Sequence, residues 1–226
     1  MGVAAVRPST SVDDETEIAV IPGDDFVSRA GRKLDAALDA FAIDVAGRRA
    51  IDLGASTGGF TDCLLRRGAA SVLAVDVGSD QLDSRLRSDP RVVLLERTDL
   101  RTLDPEGVGA PFDLVVADLS FISLRVVARH IAALGGRSTD HVLLVKPQFE
   151  VGRTGVGKGG VVRSDELRRE ALRGVLASLA AEGMAVAGTI ESPVPGRTGN
   201  RELLVWLRAT DPLARVTGVD QDGRHG

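Results

Sequence analysis

Four aspartates stand where short apolar segments, predicted to be strands, come to an end. They are Asp52, Asp76, Asp99 and Asp118. Because parallel strands end at the same edge of a sheet, the four carboxylates are expected to face one crevice. The alternative is that each aspartate caps a helix or a turn, as a lone strand-end aspartate often does. Four together, one of them beside a glycine-rich turn, favour a ligand site.

The turn after the first predicted strand reads IDLGASTGGF over residues 51–60. Its glycines let the backbone approach a ligand and offer amide groups where a helix begins. The spacing differs from the dinucleotide pattern G-x-G-x-x-G, and the turn holds no lysine or arginine for a phosphate chain. Asp76 is placed to take the two hydroxyls of a ribose and Asp99 to reach an adenine amino group. S-adenosylmethionine meets that description.

Lysine is scarce in this chain, since 25 of the 28 basic residues are arginine. The three lysines are Lys33, Lys146 and Lys158. Lysine can work as a neutral amine and arginine cannot, so a retained lysine points to a site that needs an amine or a compact ammonium. Chance retention is the alternative for any one of them.

Composition sets the broad class. The 226 residues are 43% hydrophobic and 27% charged, with a net charge of −4, which is typical of a globular protein. The single cysteine excludes an intrachain disulfide and a cysteine-based zinc site. No apolar run reaches the ~20 residues of a membrane span. We expect a cytoplasmic protein with no membrane span and no metal.

Apolar runs alternate with helical patterns along the chain, which predicts an α/β fold with a mostly parallel sheet and one antiparallel strand near the C-terminus. The predicted strands are 49–53, 71–77, 92–96, 113–118, 142–146, 185–191 and 202–208; the predicted helices are 29–42, 59–67, 80–87, 122–134 and 165–182. Ser164 is expected to cap the last helix and Gly183 to end it.

Several segments together resemble the TlyA family of ribosomal RNA 2′-O-methyltransferases, also labelled haemolysin A, within the wider FtsJ-like group. They are FVSRAGRKLDAALDAF, IDLGASTGGFTDCLLRRGA, VLAVDVGSDQL, DPRVVLLERTD, DLVVADLSFISL, VKPQFEVGR, VGKGGVVR and GNRELLVWL. The resemblance implies a Rossmann-like class I fold, S-adenosylmethionine as donor, and the cytidine ribose of rRNA or ribosomal subunits as target.

The resemblance also implies residue roles. A Lys-Asp-Lys-Glu tetrad falls on Lys33, Asp118, Lys146 and Glu202. In this interpretation Lys146, desolvated at the end of an apolar strand, is the base, Asp118 and Glu202 hold its ammonium form, and Lys33 stabilises a developing oxyanion or a phosphate. A strand-end lysine that reaches for water is the alternative for Lys146. The expected donor-binding residues are Asp52, Gly54, Ser56, Thr57, Gly58, Gly59, Phe60, Asp76, Asp99 and Asp118.

The ends of the chain suggest three segments: an acidic segment at 1–25, a methyltransferase domain at 26–208 and a flexible tail at 209–226. Related proteins usually begin with an S4-type RNA-binding domain, and the stretch from Arg7 to Val20 resembles only the last strand of one. Either the chain is shortened or its start was placed too far downstream.

Residues 26–208 carry a net charge of only +2, which neither proves nor excludes an RNA partner. The expected RNA-binding residues are Arg29, Arg32, Arg153, Lys158, Arg163, Arg197 and Arg201, with Phe121 and Phe149 as base-stacking candidates. Two other functions stay open: methylation of a small hydroxylated molecule on the same fold, and a membrane-active haemolysin.

Overall fold

The computed structural model describes residues 26–210, and the predictions for residues 1–25 and 211–226 lie outside that range. Seven strands form one sheet in the order β3-β2-β1-β4-β5-β7-β6. Their bounds are β1 Arg49–Leu53, β2 Ser71–Val75, β3 Val92–Leu95, β4 Phe112–Ala117, β5 Gly135–Val145, β6 Met184–Glu191 and β7 Leu203–Ala209.

The sheet is mixed in the way the sequence predicts. β1 to β5 pair in parallel, and β7 runs antiparallel to both of its neighbours, β5 and β6. The central strands are nearly continuous apolar runs because helices cover both of their faces. A single reversed strand, β7, therefore confirms the predicted architecture.

Seven helices lie between or beside the strands in the described part of the chain: α1 Ala30–Ala40, α2 Gly59–Arg66, α3 Ser84–Arg87, α4 Leu124–Ala133, α5 Pro147–Glu150, α6 Gly152–Gly155 and α7 Asp165–Ala181. The Ser164 hydroxyl accepts a hydrogen bond from the Leu167 amide at 3.3 Å, and Gly183 has φ +81° just beyond the end of α7. Both predicted ends of that helix are confirmed.

Two of the predicted elements have different bounds in the structure. The helix expected over 80–87 is only the four residues of α3, because Asp80 has φ +59° and Asp83 caps the helix from outside. β5 begins at Gly135, well before the predicted 142, since Gly135 pairs with Phe112 of β4 and a bulge then precedes the next pair, Leu114 with Asp140. The short helices α5 and α6 carry no periodic pattern and were not predicted.

The core divides into two apolar layers, one on each face of the sheet. α1 and α2 cover one layer, and α4 and α7 cover the other. Cys63 is fully buried in the first layer. Within residues 26–210, no helix has the length and apolarity to cross a membrane, and no three His, Cys, Asp or Glu side chains are grouped as metal ligands.

Candidate active site

The carboxyl ends of the parallel strands carry the predicted site residues. Gly54 follows β1, Asp76 follows β2, Asp118 follows β4 and Lys146 follows β5. Backbone hydrogen bonds join these ends: the Gly54 amide donates to the Val75 carbonyl at 2.8 Å. The sheet therefore brings residues that are far apart in sequence to one edge.

The glycine-rich turn is shaped by contacts that only glycine tolerates. Gly54 has φ +83°, and a Cβ there would lie 2.9 Å from the Asp118 carbonyl oxygen. Gly58, with φ +97°, stands at the start of α2, where no side chain caps the helix. Within the turn, the amides of Gly54 and Ser56 already donate to Val75 and Asp76, so the uncapped start of α2 is the part of this backbone left to contact a ligand. Ser56 and Thr57 are exposed there, whereas Phe60 is only 2% exposed and packs in the core.

Asp76 is held in place by two backbone amides. Its Oδ2 accepts from the Ser56 amide and its Oδ1 from the Gly78 amide, both at 2.7 Å. The residue is half-buried, so it is partly open to solvent at the carboxyl end of β2. A carboxylate at this position is the group that binds the ribose hydroxyls in nucleotide-binding α/β folds.

Asp52 is the most deeply buried of the four strand-end acids. Its Oδ2 accepts from the Thr61 hydroxyl at 2.7 Å, and its Oδ1 has no hydrogen-bond partner among the described residues. Burial raises the pKa of Asp52 to about 7, and the nearby carboxylates of Asp118 and Asp76 act in the same direction. A buried acceptor without a partner at this edge is suited to a polar ligand group.

Asp99 is engaged differently from the other three. It caps the 3₁₀ turn Leu100–Thr102 and forms an ion pair with Arg101 at 2.5 Å. Hydrogen bonds from Arg101 lower the pKa of Asp99 to about 2. The structure thus shows Asp99 in the capping role that was the alternative at the outset, while its contact with adenine stays a prediction.

The four tetrad residues form two ion pairs. Lys146 Nζ lies 2.7 Å from Asp118 Oδ1 and donates to the Ser120 hydroxyl at 2.8 Å. Lys33 Nζ donates to Glu202 Oε2 at 2.5 Å. We predicted that Glu202 holds Lys146; this is wrong in the structure, where Glu202 is paired with Lys33.

The local fold explains both pairs. Lys33 lies on the buried face of α1 beside Leu34. The β5–β7 register, in which Val145 faces Leu203, carries Lys146 and Glu202 to the same end of the sheet. Gln148 also contacts the pair of Lys33 and Glu202: its Nε2 donates to Glu202 Oε1 at 3.4 Å. Lys33, Lys146 and Glu202 are all less than a tenth exposed.

Sequence reasoning missed the residues that support the Asp118 loop. Ser120 contacts Lys146, and buried Glu150 accepts from the Ser123 hydroxyl at 2.5 Å and the Leu124 amide at 2.8 Å. Burial raises the pKa of Glu150. Glu150 lies in the motif VKPQFEVGR that carried the resemblance, but no periodicity or spacing singles it out.

Two aromatic rings stand at the mouth of the crevice. Phe121 is 92% exposed with φ +64°, and its ring centroid is 5.4 Å from that of Phe149. Lys146 Nζ lies 5.9 Å from the Phe149 centroid. An exposed ring on a left-handed backbone is costly unless it serves a contact.

The predicted RNA-binding residues differ in their exposure and in their ion pairs. Arg29, Lys158, Arg163 and Arg197 are exposed, as is Arg32. Arg201 is instead committed to Glu191 at 2.5 Å and lies 3.6 Å from Asp165. The side chain of Arg153 lies outside the described part of the structure.

Comparison with known proteins identifies the family to which this chain is similar. The FtsJ-like methyltransferase family matches residues 26–209. The 16S/23S rRNA (cytidine-2′-O)-methyltransferase TlyA of Mycobacterium tuberculosis is 50% identical over 222 residues, which is 97% of this chain and 83% of that protein. Hemolysin A of Brachyspira hyodysenteriae is 39% identical over 90% of this chain and 85% of its own length.

Solved structures agree on the fold. A protein from Streptococcus thermophilus that carries a hemolysin name superposes with a TM-score of 0.79 at 41% identity, over 83% of this chain and 68% of that one. An S-adenosylmethionine-dependent methyltransferase from Mesorhizobium loti superposes with a TM-score of 0.56 at 20% identity, over 76% of this chain and 96% of that one. The family match spans nearly the whole described structure and includes all four tetrad positions. This chain belongs to the FtsJ-like methyltransferase family, in the group that contains TlyA.

Proposed function

We propose that this protein transfers a methyl group from S-adenosylmethionine to the 2′-hydroxyl of a cytidine ribose in rRNA. One observation carries the proposal: two buried lysine–carboxylate pairs stand beside a glycine-rich turn at the end of a methyltransferase sheet. The relatives named as rRNA cytidine-2′-O-methyltransferases support the choice of substrate.

The crevice fits the donor. The close approach at Gly54 and the uncapped start of α2 suit the amino-acid end of S-adenosylmethionine, and the unpartnered Asp52 Oδ1 offers an acceptor beside it. Asp76 would take the ribose hydroxyls, since two amides already fix its orientation. When bound, S-adenosylmethionine supplies an electrophilic methyl group on a sulfonium.

Lys146 is the residue we assign to the attacking oxygen. A ribose hydroxyl has to lose its proton as the new bond forms, and a neutral amine at Nζ can accept it. Asp118 and the Ser120 hydroxyl fix where that nitrogen lies. The side chain of Lys146 is 11% exposed, so little water competes for the proton.

Lys33 and Glu202 supply the second half of the site. Each lysine has one carboxylate partner within the pocket. Lys33 can stabilise negative charge on the target oxygen or on the adjacent phosphate, and Glu202 keeps its ammonium in position. The pocket thereby presents the Lys33 ammonium to an anionic substrate with its counter-charge buried beside it.

The rim of the crevice supports a nucleic-acid substrate. Phe121 offers an exposed ring beside the tetrad, and base stacking on such rings is the usual way to hold an unpaired nucleotide. Exposed Lys158, Arg163 and Arg197 provide positive charge for phosphates. A small hydroxylated substrate would need neither feature.

The test is transfer of tritium from methyl-labelled S-adenosylmethionine to isolated small and large ribosomal subunits, naked rRNA and a panel of small alcohols, followed by digestion to nucleosides. We expect label in 2′-O-methylcytidine, and none with the Lys146→Ala variant. A second variant, Arg137→Ala on the distant start of β5, is the matched control and should keep activity. Label on small alcohols alone, or on a base rather than a ribose, would overturn the proposal.

A further inference from the structure

Two surface turns, the second of which lies against Glu202, carry exposed positive charge. The first, residues 157–161, is closed by hydrogen bonds from the Gly157 amide to the Val161 carbonyl and from the Gly160 amide to the Gly157 carbonyl, and it presents Lys158. The second, residues 196–200, is closed by the Gly196 amide on the Asn200 carbonyl, and it presents Arg197. Lys158 and Arg197 form no ion pair or side-chain hydrogen bond with any described residue.

The side chain of Asn200, the only asparagine in the sequence, joins the two turns. Its Oδ1 accepts from the Val162 amide at 2.9 Å, and its Nδ2 donates to the Gly160 carbonyl at 2.8 Å and to the Thr198 hydroxyl at 3.0 Å. Asn200 is 1% exposed. The amide oxygen therefore has a donor, and the amide nitrogen has an acceptor for each of its two N–H groups. Neither aspartate nor leucine can reproduce this match.

The second turn also contacts one residue of the tetrad. A Cβ on Gly196 would lie 2.4 Å from Glu202 Oε1, so the second turn lies directly against the Glu202 carboxylate. On the other side, Val162 is 1% exposed and its carbonyl accepts from Arg168 at 2.8 Å. The first turn is thus anchored at its end and joined through Asn200 to the second turn, which lies against Glu202.

The first turn has little else to order it. Gly159 and Gly160 have φ +80° and +77°, and a Cβ on either would meet nothing within 4 Å. A glycine-rich segment loses much conformational entropy when it is fixed. If the turn became ordered only when RNA binds, the loss of conformational entropy would lower the RNA affinity. A turn that is already ordered in the free protein avoids that cost on binding.

We propose that Asn200 is a positioning residue that fixes the first turn against the second, so that Lys158 and Arg197 together engage the phosphate backbone of the substrate RNA. This inference rests on the proposed function and adds to it the device that orders the substrate-binding rim. Asn200 touches no reacting atom. Its effect on RNA passes through Lys158.

A double-mutant cycle on the full chain tests the inference. Binding of ribosomal subunits is measured for wild type, Asn200→Ala, Lys158→Ala and the double variant, with donor affinity followed by calorimetry. We expect Asn200→Ala to weaken RNA binding on the order of tenfold, because the turn must then be ordered on binding. In the Lys158→Ala background the same change should cost under about twofold, and donor affinity should stay unchanged throughout.

Should Asn200→Ala unfold, Asn200→Asp replaces it, because the same shape keeps the acceptor for Val162 and loses the donors to Gly160. Thr198→Asp is its charge control, since it adds the same charge to the turn while keeping an acceptor for Asn200. RNA binding should fall more with Asn200→Asp than with Thr198→Asp. The inference would be overturned if Asn200→Asp and Thr198→Asp lowered RNA affinity equally. It would also be overturned if the effects of Asn200→Ala and Lys158→Ala on RNA affinity were fully additive. Failure of wild type to bind RNA would instead contradict the proposed function.

Discussion

The buried pair between Lys33 and Glu202 makes a quantitative prediction about stability. The side chains are 10% and 3% exposed, and the nitrogen–oxygen distance is 2.5 Å. The Glu202→Gln variant keeps the shape and an acceptor oxygen but removes the charge. The Lys33 ammonium is then buried without compensation, which usually costs about 3–5 kcal/mol.

Because glutamine still accepts one hydrogen bond, we expect the low end of that range, about 3 kcal/mol. For a protein of this size, 1 kcal/mol shifts Tm by about 2–4 °C, so Tm should fall by about 10 °C. Replacing both partners, as Lys33→Met with Glu202→Leu, removes the lone charge and should restore most of the lost stability. Methyl transfer should be lost in both cases.

Urea unfolding followed by circular dichroism, together with thermal scans, measures these differences. The adjacent exposed pair is the matched control: Arg201 and Glu191 are 54% and 48% exposed, so Glu191→Gln should cost under about 1 kcal/mol. The reasoning fails if Glu202→Gln is no less stable than Glu191→Gln, or if the double replacement is less stable than Glu202→Gln alone.

Three further outcomes follow from the site. Lys146→Arg should lower methyl transfer by about 10²-fold or more while donor affinity in calorimetry is unchanged, because arginine keeps the charge but cannot accept a proton; wild-type rates would leave Lys146 an electrostatic role only. Asp76→Ala should weaken donor binding at least about tenfold in a folded protein, and unchanged affinity would place the donor ribose elsewhere. Burial raises the pKa of Asp52 from 3.8 to about 7, so the folded state holds an extra proton between those values and the free energy of unfolding should fall as pH rises through that window. Urea titrations from pH 4 to 8 should show this slope flattened in Asp52→Asn, and an unchanged slope would assign it to other groups.

Most of the fold was predictable because buried parallel strands leave a strong pattern. The apolar run at 71–77 and the capped helix at 165–182 were predicted to within two residues at each end. The errors fall where no apolar period exists. β5 reaches back to Gly135 because that residue pairs with Phe112 of β4 across a bulge, and α3 is short because Asp80 adopts a left-handed backbone. Neither cause is visible in hydrophobic spacing.

The location of the site was predictable for a related reason, and its internal pairing was not. Strand ends fix which residues share an edge, so Asp52, Asp76, Asp118 and Lys146 could be grouped from the sequence. Which lysine meets Glu202 depends instead on the angle at which α1 crosses the sheet and on the turn at Gly196 against the carboxylate. These are packing distances of a few ångströms between elements far apart in the chain. Because Glu202 pairs with Lys33, Lys146 is held by Asp118 and the Ser120 hydroxyl alone among the described residues. Each lysine therefore has one carboxylate partner of its own, which agrees with separate roles for the two amines in the proposed reaction.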